Sequence, residues 1–293
     1  MIKCLCTGEN MELISSFVTK KQYDQIKKYI DGVCVAYSSF SAYSASSLNK
    51  EEIEEIAKEK KVFVNLNALL HQCDLERFSL LIDELYLIPN VFFIVSDLGA
   101  VNILKKKGLS TRTVYQSETM ITNYLDAKEY EEDNLYGLGI SSEITILDAS
   151  KIISSITNSF YLGYGYRPMY RSYRKIISLW KKEKGLSFEN KNMFLKEETR
   201  NDLYPVIENE YESVVFRGGV INTIKEIDKI KDCKILFLSA LFIDEEKYIE
   251  VVKTFKNVLL NNITKEEGNK IISSLDIKED NSFMYEDSIY EVE

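Results

Sequence analysis

Three carboxylates that could do acid–base chemistry each follow a short apolar run of the sequence. Asp97 follows "VFFIVS", Glu118 follows "TVYQS" and Glu143 follows "GLGISS". Two carboxyl groups can divide the roles of general acid and general base when their surroundings move their pKa values apart. We therefore predict Asp97, Glu118 and Glu143 as catalytic candidates, provided that the fold brings the ends of these runs together.

Each acid also has a structural interpretation. Asp97 precedes Leu-Gly, where an aspartate often caps the next helix, and Glu143 begins a helical pattern, where an acid suits the helix dipole. His71 is the only histidine of the chain. A His-rich zinc site is therefore excluded, and any Ser-His or Cys-His mechanism depends on that residue.

Further polar residues at the ends of apolar runs could contact a substrate. Asn65 and Asn67 alternate with apolar residues in "VFVNLN", so they either tie the interior together or face a site. The predicted substrate-binding residues are Asn65, Asn67, Gln116, Tyr166, Arg167, Arg171 and Arg174.

The stretch "GYGYRPMYRSYRKIIS" is rich in arginine and tyrosine and lies between Asp148 and Glu183, with no acid in between. We expect a helix over "YRKIISLWKKEKG", with Arg171, Arg174 and Lys175 on one face. That face is either solvated or an anion-binding wall, since guanidinium groups hold carboxylates and phosphates at two points. A wall of this kind would suit a peptide, a small carboxylate or single-stranded nucleic acid.

The composition limits the partners and the compartment. The chain has 293 residues, a net charge of −9 and a pI of about 5.0, which argues against duplex DNA as a partner. No apolar run is long enough to span a membrane, and the start "MIKCLCTGEN" is unlike a signal peptide. Five cysteines without disulfide-scaffold spacing indicate free thiols and a cytoplasmic protein.

The order of apolar runs predicts the fold. Near-continuous apolar strands about 25 residues apart alternate with amphipathic helices, which is typical of parallel strands that are buried on both faces. The predicted strands are Met11–Val18, Gly32–Tyr37, Lys61–Asn67, Asn90–Asp97, Thr111–Gln116, Leu135–Ile140, Ser159–Gly165 and Lys234–Phe242. So many units favour an α/β fold of the TIM type, a (β/α) barrel, over a doubly wound sheet.

The pattern breaks late in the chain. Short strands in "NMFLKEE", "LYPVIENE" and "ESVVFRG" predict a small antiparallel β insertion at about 186–220. We expect an N-terminal extension over 1–10, a single barrel domain over 11–260, and an acidic C-terminal segment over 261–293. That segment ends in "SFMYEDSIYEVE", which alternates like an edge strand.

The chain resembles the small members of the collagenase-like peptidase family U32. In "GYRPMYRSYRKIIS" the matching residues are Pro168, Met169, Ser172, Arg174, Lys175 and Ser178, whereas Tyr173 replaces an arginine. The segments "VNLNALLH", "IVSDLGAVNILKKKG", "SETMITNY" and "SSEIT" resemble family segments in the same order, with Ser142 where arginine is usual. The resemblance extends over nearly the whole chain from Met11.

This resemblance implies a TIM-type barrel and a peptidase of unassigned catalytic type. Larger relatives hydroxylate RNA bases or quinone precursors with an iron–sulfur cluster, and their signature cysteines correspond to Pro168 and Lys175 here. No cysteine lies between Cys73 and Cys233. We therefore expect no iron–sulfur cluster, no metal and no other cofactor.

Three functions remain open. The first is a peptidase-like hydrolase with a barrel-mouth pocket for an anionic peptide or carboxylate, in which Arg171 and Arg174 grip the substrate. The second is an RNA-modification protein, or an accessory to one, with RNA as its partner. The third is a non-catalytic anion-binding barrel. The sequence does not indicate an oligomeric state.

Overall fold

The computed structural model describes residues 11–37, 39–189, 193–199 and 201–286. The N-terminal extension that we expected over 1–10, with Cys4 and Cys6, lies outside the described residues. Within the described part of the chain, no helix is long and apolar enough to cross a membrane.

Twelve strands form the β structure of the described residues. They are β1 (Glu12–Ser16), β2 (Gly32–Tyr37), β3 (Ser47–Leu48), β4 (Lys61–Leu66), β5 (Val91–Val95), β6 (Thr113–Tyr115), β7 (Gly137–Gly139), β8 (Ser159–Ser172), β9 (Met193–Lys196), β10 (Leu203–Glu208), β11 (Ser213–Asn222) and β12 (Ile235–Leu238). Eight of them pair in parallel in the order β12-β1-β2-β4-β5-β6-β7-β8. Because β12 also pairs with β8, the sheet closes on itself. The predicted TIM-type barrel is confirmed.

The strands are apolar on both faces because each lies between the barrel interior and a layer of helices. Alternate residues such as Ile14, Phe63 and Ile94 form a cluster with Cys34 and Phe160. Their neighbours along the strands, such as Leu13, Val62 and Val95, belong to the larger core that includes the helices. This double burial is the physical origin of the continuous apolar runs.

The helices follow the strands as the sequence predicts. They are α1 (Lys20–Ile26), α2 (Lys50–Ala57), α3 (Leu75–Leu85), α4 (Leu98–Lys106), α5 (Tyr124–Glu129), α6 (Ile146–Ile153), α7 (Ile176–Lys184), α8 (Glu245–Leu259), α9 (Lys265–Ser273) and α10 (Ser282–Tyr285). Local capping fixes several starts. Asn49 and Glu52 form a capping box on α2, and Thr264 and Glu267 form another on α9.

The predicted helix over the arginine stretch begins later than we expected. Strand β8 continues to Ser172, and α7 starts only at Ile176. Arg171 is therefore on a strand, and the prediction that Arg171, Arg174 and Lys175 share a helical face is wrong. The reason is a long-range pairing: β11 runs antiparallel to β8 and places Val214 opposite Arg171. Local spacing cannot reveal such a partner.

Strands β9, β10 and β11 extend β8 into an antiparallel sheet, which confirms the predicted late insertion. One face of this sheet covers the mouth of the barrel. Val214 and Phe216 pack with Ala42 in a cluster that also includes Tyr43 and Tyr166. The insertion thus forms a roof over the ends of the barrel strands.

The C-terminal segment packs against this roof. The Asp280 backbone N–H donates to the Val220 carbonyl oxygen at 2.8 Å, and the Val220 N–H donates to the Lys278 carbonyl oxygen at 2.9 Å. We expected an edge strand over "SFMYEDSIYEVE", but its first residues form the short helix α10. That part of the prediction is wrong, and residues 287–293 lie outside the described residues. Alternation over so few residues does not distinguish a strand from a helical turn.

Candidate functional site at the barrel mouth

A small cavity lies at the carboxyl ends of the barrel strands, beneath the insertion. Its volume is about 60 Å³, which is enough to hold ordered water. It is lined by Cys34, Tyr43, Asn65, Asn67, Ile94, Gln116, Glu118, Thr119, Ser142, Glu143, Phe160, Leu162, Tyr166, Pro168, Phe237, Ser239 and Leu241. The fold thus brings together six predicted site residues: Asn65, Asn67, Gln116, Glu118, Glu143 and Tyr166.

The barrel interior supplies the apolar part of the lining. Ile94 and Phe160 belong to the inner cluster of the barrel, together with Cys34. Burial raises the pKa of the Cys34 thiol to about 12, so the thiol stays protonated at neutral pH and is a poor nucleophile. No histidine lines the cavity among the described residues.

Glu118 is the most constrained acid of the cavity. It follows β6 with a φ of 68°, a left-handed conformation that is uncommon for residues other than glycine and recurs at functional sites. Its Oε1 accepts a short hydrogen bond from the Tyr43 hydroxyl and one from Arg171 Nη1 at 3.2 Å. Burial raises the pKa of Glu118 above its usual range, although the charge of Arg171 and the Tyr43 hydrogen bond act in the opposite direction.

Arg171 joins Glu118 to a second acid, Glu212, which is buried. Arg171 Nε and Nη2 donate to the two carboxylate oxygens of Glu212 at 2.7 and 2.5 Å, and Nη2 also donates to the Asn67 carbonyl oxygen at 2.7 Å. Burial opposes the charge of Arg171, but the Glu212 hydrogen bonds and the charge of Glu118 outweigh it and raise the pKa of Arg171. The guanidinium group is thus held as a permanent cation between two acids.

Glu212 was not predicted from the sequence, and it is only 1% exposed. It follows Asn209, whose Oδ1 accepts from the Glu212 N–H at 3.2 Å in a turn between β10 and β11. Its neighbourhood "IENEYES" reads as a polar hairpin. The one feature of the sequence that could have indicated Glu212 is the Arg/Tyr stretch, because an arginine that becomes buried needs a carboxylate partner.

Asn65 and Asn67 combine the two roles that the sequence left open. Both line the cavity, and both side-chain amides donate to the Tyr43 carbonyl oxygen, at 2.9 and 3.3 Å. Asn67 Oδ1 also accepts from the Ala42 N–H at 2.9 Å. These bonds fix the loop after β2, and that loop carries the Tyr43 side chain to Glu118.

Gln116 and Glu143 line the cavity with groups whose hydrogen-bonding capacity is not used up. Gln116 Oε1 is buried and has no hydrogen-bond partner. The Gln116 side chain packs against Gly139. A Cβ added to residue 139 would lie only 1.6 Å from Gln116 Oε1. Glu143 is half-buried, and its backbone N–H donates to Ser141 Oγ at 3.2 Å.

Four predicted site residues do not line the cavity. Asp97 caps α4, since Oδ1 accepts from the Ala100 N–H at 3.1 Å and Oδ2 accepts from the Leu70 N–H at 3.2 Å. Arg167 is 1% exposed and donates to the carbonyl oxygens of Ser142 and Asp280 at 2.6 and 2.8 Å. The other two are Arg171, which approaches through Glu118, and Arg174, which is exposed.

His71 also stays away from the cavity. It is exposed, and its ring lies 4.3 Å from the ring of Tyr173. A Cys-His or Ser-His arrangement is therefore not assembled in the cavity by the described residues.

A wider groove adjoins the cavity. It has a volume of about 520 Å³ and shares Glu118, Thr119 and Pro168 with the cavity lining. Its other lining residues are Leu69, Ser96, Asp97, Leu98, Tyr115, Ser117, Met120, Met169, Tyr170 and Arg171. Several of these are exposed apolar side chains, including Leu98, Met120 and Met169. Exposed apolar groups beside polar ones are typical of a surface that binds another molecule.

Among the described residues, no group of three or more His, Cys, Asp and Glu side chains is arranged to hold a metal ion. The described free cysteines, Cys34, Cys73 and Cys233, are two buried thiols and one exposed thiol. That the protein uses no metal, cluster or other cofactor stays a prediction.

The fold and this mouth define a (β/α) barrel protein with acids at the carboxyl ends of its strands, which is where barrel enzymes carry their active sites. The model of peptidase family U32 matches residues 19–286, so the chain belongs to that family, as its sequence motifs predicted. Comparison with curated proteins finds no match.

Proposed function

We propose that the protein is a peptidase-type hydrolase whose reaction centre is the mouth cavity and whose peptide substrate lies in the adjoining groove. The observation that carries this proposal is the position of Glu118, which lines both depressions. A peptide in the groove would therefore pass a half-buried carboxyl group with a raised pKa. Family membership favours the same class of reaction.

The two cavity acids suit complementary roles. Glu118 is the proposed general acid, since its raised pKa retains a proton to higher pH than an ordinary glutamate. Glu143 is the proposed general base. It would take a proton from a water molecule that attacks the scissile carbonyl carbon, while Glu118 would give its proton to the departing amine. The C–O bond forms, the C–N bond breaks, and the two acids exchange their protonation states.

Arg171 acts in this proposal as a positioning residue. We expected Arg171 and Arg174 to grip substrate carboxylates, but Arg171 already donates to Glu118, Glu212 and the Asn67 carbonyl oxygen. Its charge is therefore used to orient Glu118. Arg174 is exposed and remains the arginine that could meet a substrate carboxylate outside the cavity.

The RNA alternative receives less support from the same contacts. Stacking and phosphate binding need accessible arginines, whereas Arg167 is buried against Ser142 and Asp280. Arg171 is paired with two acids. A salt-dependent affinity for single-stranded RNA would reverse this ranking.

The test is hydrolysis of a mixed fluorogenic peptide library by the wild type, Glu118→Gln and Glu143→Gln. We expect each substitution to lower kcat by about 10²–10⁴-fold, the usual contribution of a general acid or base. Glu54→Gln is the matched control, because Glu54 is exposed on α2. Full hydrolysis by both cavity variants would remove the acid–base assignment, and a wild type that cleaves no peptide would remove the peptidase proposal.

A further inference from the structure

We propose that the mouth cavity selects a primary ammonium group of the substrate, so that the enzyme acts on peptides that offer it a lysine side chain or a free amino terminus. This inference rests on the proposed function and adds a substrate class to it. It also reverses the anionic preference that the sequence suggested.

The charges of the cavity lining carry the argument. Among the described residues, the lining contains the carboxylates of Glu118 and Glu143 and no lysine, arginine or histidine. The nearest cation, Arg171, is shared between Glu118 and the buried Glu212. With the Glu118 proton in place, these four groups carry two negative charges and one positive charge, and they carry three negative charges once Glu118 ionises.

A second arginine approaches from behind the wall. Arg167 donates to the carbonyl oxygen of Ser142, a lining residue, at 2.6 Å. It also lies 3.8 Å from a carboxylate oxygen of Asp280, which Arg217 contacts at 2.7 Å. Arg167 is not part of the lining, and its charge is shared among the Ser142 and Asp280 carbonyl oxygens, the Asp280 carboxylate and, more weakly, Glu143. An anion in the cavity would therefore meet the carboxyl groups of Glu118 and Glu143 directly, whereas neither arginine belongs to the lining.

The hydrogen-bonding groups point to the same ligand. Gln116 Oε1 is a buried acceptor in the lining without a partner, and a buried acceptor without a donor costs about 1–3 kcal/mol. An ammonium group has three donors and no acceptor. It can therefore donate at once to the Glu143 carboxylate, to the Gln116 amide oxygen and to a carboxyl oxygen of Glu118.

The size and polarity of the cavity favour a compact cation. A volume of about 60 Å³ admits the end of a side chain and excludes a folded segment. An ammonium is a small point charge, whereas a guanidinium is a planar fork. Ile94, Phe160 and Phe237 also line the cavity, and such apolar walls strengthen an ion pair because they lower the local dielectric constant.

Binding of small probes tests this inference without any turnover. Calorimetric titration would use three probes of similar size: Nα-acetyl-lysine methylamide, norleucine methylamide with a free α-amine, and Nα-acetyl-norleucine methylamide, which is neutral. We expect at least one ammonium probe to bind at least 10-fold more tightly than the neutral probe. The first two probes distinguish a lysine side chain from an amino terminus as the source of the ammonium.

Two substitutions in the cavity lining, Glu143→Gln and Thr119→Lys, test whether the ammonium group binds in the cavity, and Glu54→Gln on the surface is the control. Glu143→Gln should abolish the preference for the ammonium probe, and Glu54→Gln should keep it. Thr119→Lys is the second variant, because Thr119 is exposed at the rim and a lysine there should weaken ammonium binding at least 10-fold without disturbing the core. Three results would overturn the inference. They are equal affinities for charged and neutral probes, no binding of any probe, and an ammonium preference that survives in both Glu143→Gln and Thr119→Lys.

The outcome separates this inference from the proposed function. A wild type that hydrolyses peptides but shows no ammonium preference would keep the peptidase proposal and remove the ammonium site. A wild type that binds the ammonium probe but cleaves no peptide would keep the ammonium site and remove the peptidase proposal.

Discussion

At the residue scale, the central feature is a carboxyl group that the fold makes difficult to ionise. Glu118 is half-buried near Glu212 and Glu143, and its pKa is raised even though Arg171 and Tyr43 stabilise its charge. Burial also raises the pKa of Tyr43, so the phenol remains a hydrogen-bond donor to Glu118. The site thus stores a proton near the proposed scissile bond.

The raised pKa predicts a definite dependence of stability on pH. The unfolded chain releases the Glu118 proton near 4.5, whereas the folded chain holds it to higher pH. The folded state binds more protons between these two values, so the free energy of unfolding falls as pH rises through that window. Glu118→Gln has no ionisable group at this position, so its free energy of unfolding should lack this part of the decrease with pH.

Urea unfolding of the wild type and Glu118→Gln from pH 4 to pH 8 measures the effect. As the pH rises, Glu118→Gln should become more stable relative to the wild type, because only the wild type loses the contribution of the Glu118 proton. Glu54→Gln controls for the loss of one negative charge. A difference that is constant with pH would contradict the raised pKa.

The pair of Arg171 and Glu212 predicts a large loss of stability in Arg171→Ala. Removing the guanidinium leaves the Glu212 carboxylate buried without its two hydrogen bonds, and an uncompensated buried charge costs about 3–5 kcal/mol. Arg171→Lys should also be destabilised, because an ammonium cannot make the two-point contact. Denaturant unfolding measures both.

Arg174→Ala is the matched control for Arg171→Ala. Its side chain is exposed, and surface substitutions usually change stability by less than about 0.5 kcal/mol. Equal and small effects of the two substitutions would show that the buried pair contributes nothing measurable.

At the element scale, the insertion packs against the loops that surround the mouth. Strand β11 pairs with the second half of β8 and carries Phe216 into contact with the loop after β2. The ring of Phe216 lies 5.2 Å from that of Tyr43 and 5.1 Å from that of Phe242. The roof therefore supports the residue that donates to Glu118.

We predict that Phe216→Ala destabilises the protein by about 3–5 kcal/mol, as is typical when a buried phenylalanine is truncated. Because Tyr43 loses its packing partner, the variant should also lose peptide hydrolysis beyond what its stability explains, under conditions where it stays folded. Phe194→Ala is the control, since Phe194 on β9 is half exposed at 51%. Full activity in folded Phe216→Ala would show that the roof does not position Tyr43.

At the scale of the whole molecule, the C-terminal segment fastens the insertion to the barrel. Asp280 Oδ2 accepts from Arg217 Nε of β11 at 2.7 Å, and the Asp280 carbonyl oxygen accepts from Arg167 Nη2 of β8 at 2.8 Å. Burial opposes the charge of Asp280, but Arg217, Ser282 and Arg167 outweigh it and lower the Asp280 pKa below its usual 3.8. Residues far apart in sequence meet in this one cluster.

Asp280→Asn should therefore lower the free energy of unfolding by about 1.5–3 kcal/mol, the usual range for a hydrogen bond to a charged group. Because the folded pKa is lowered, this contribution exists above the ordinary pKa and disappears as pH falls through the lowered value. Unfolding at pH 7 and pH 3 measures both parts. Asp232→Asn, an exposed aspartate, should have little effect at either pH, and an equal loss in both variants would contradict the anchoring role.

Both the barrel and the family can be predicted from the order of residues along the chain. Eight apolar runs are visible because parallel strands are buried on both faces, and this pattern needs no knowledge of distant contacts. Of the ten site residues predicted from the sequence, the six at the carboxyl ends of strands that line one cavity are Asn65, Asn67, Gln116, Glu118, Glu143 and Tyr166, whereas Asp97, Arg167, Arg171 and Arg174 do not line it. Their roles in binding or catalysis stay predictions.

The roles of the arginines depend on contacts that exist only in the folded protein. Their charges suggested an anion site, but the free energy of a buried charge depends on which acids lie beside it, and Glu212 and Asp280 come from elements far away in sequence. The same long-range pairing with β11 turned an expected helical face into a strand. Local patterns record which residues are buried, whereas the partners of buried charges are set when the chain has folded.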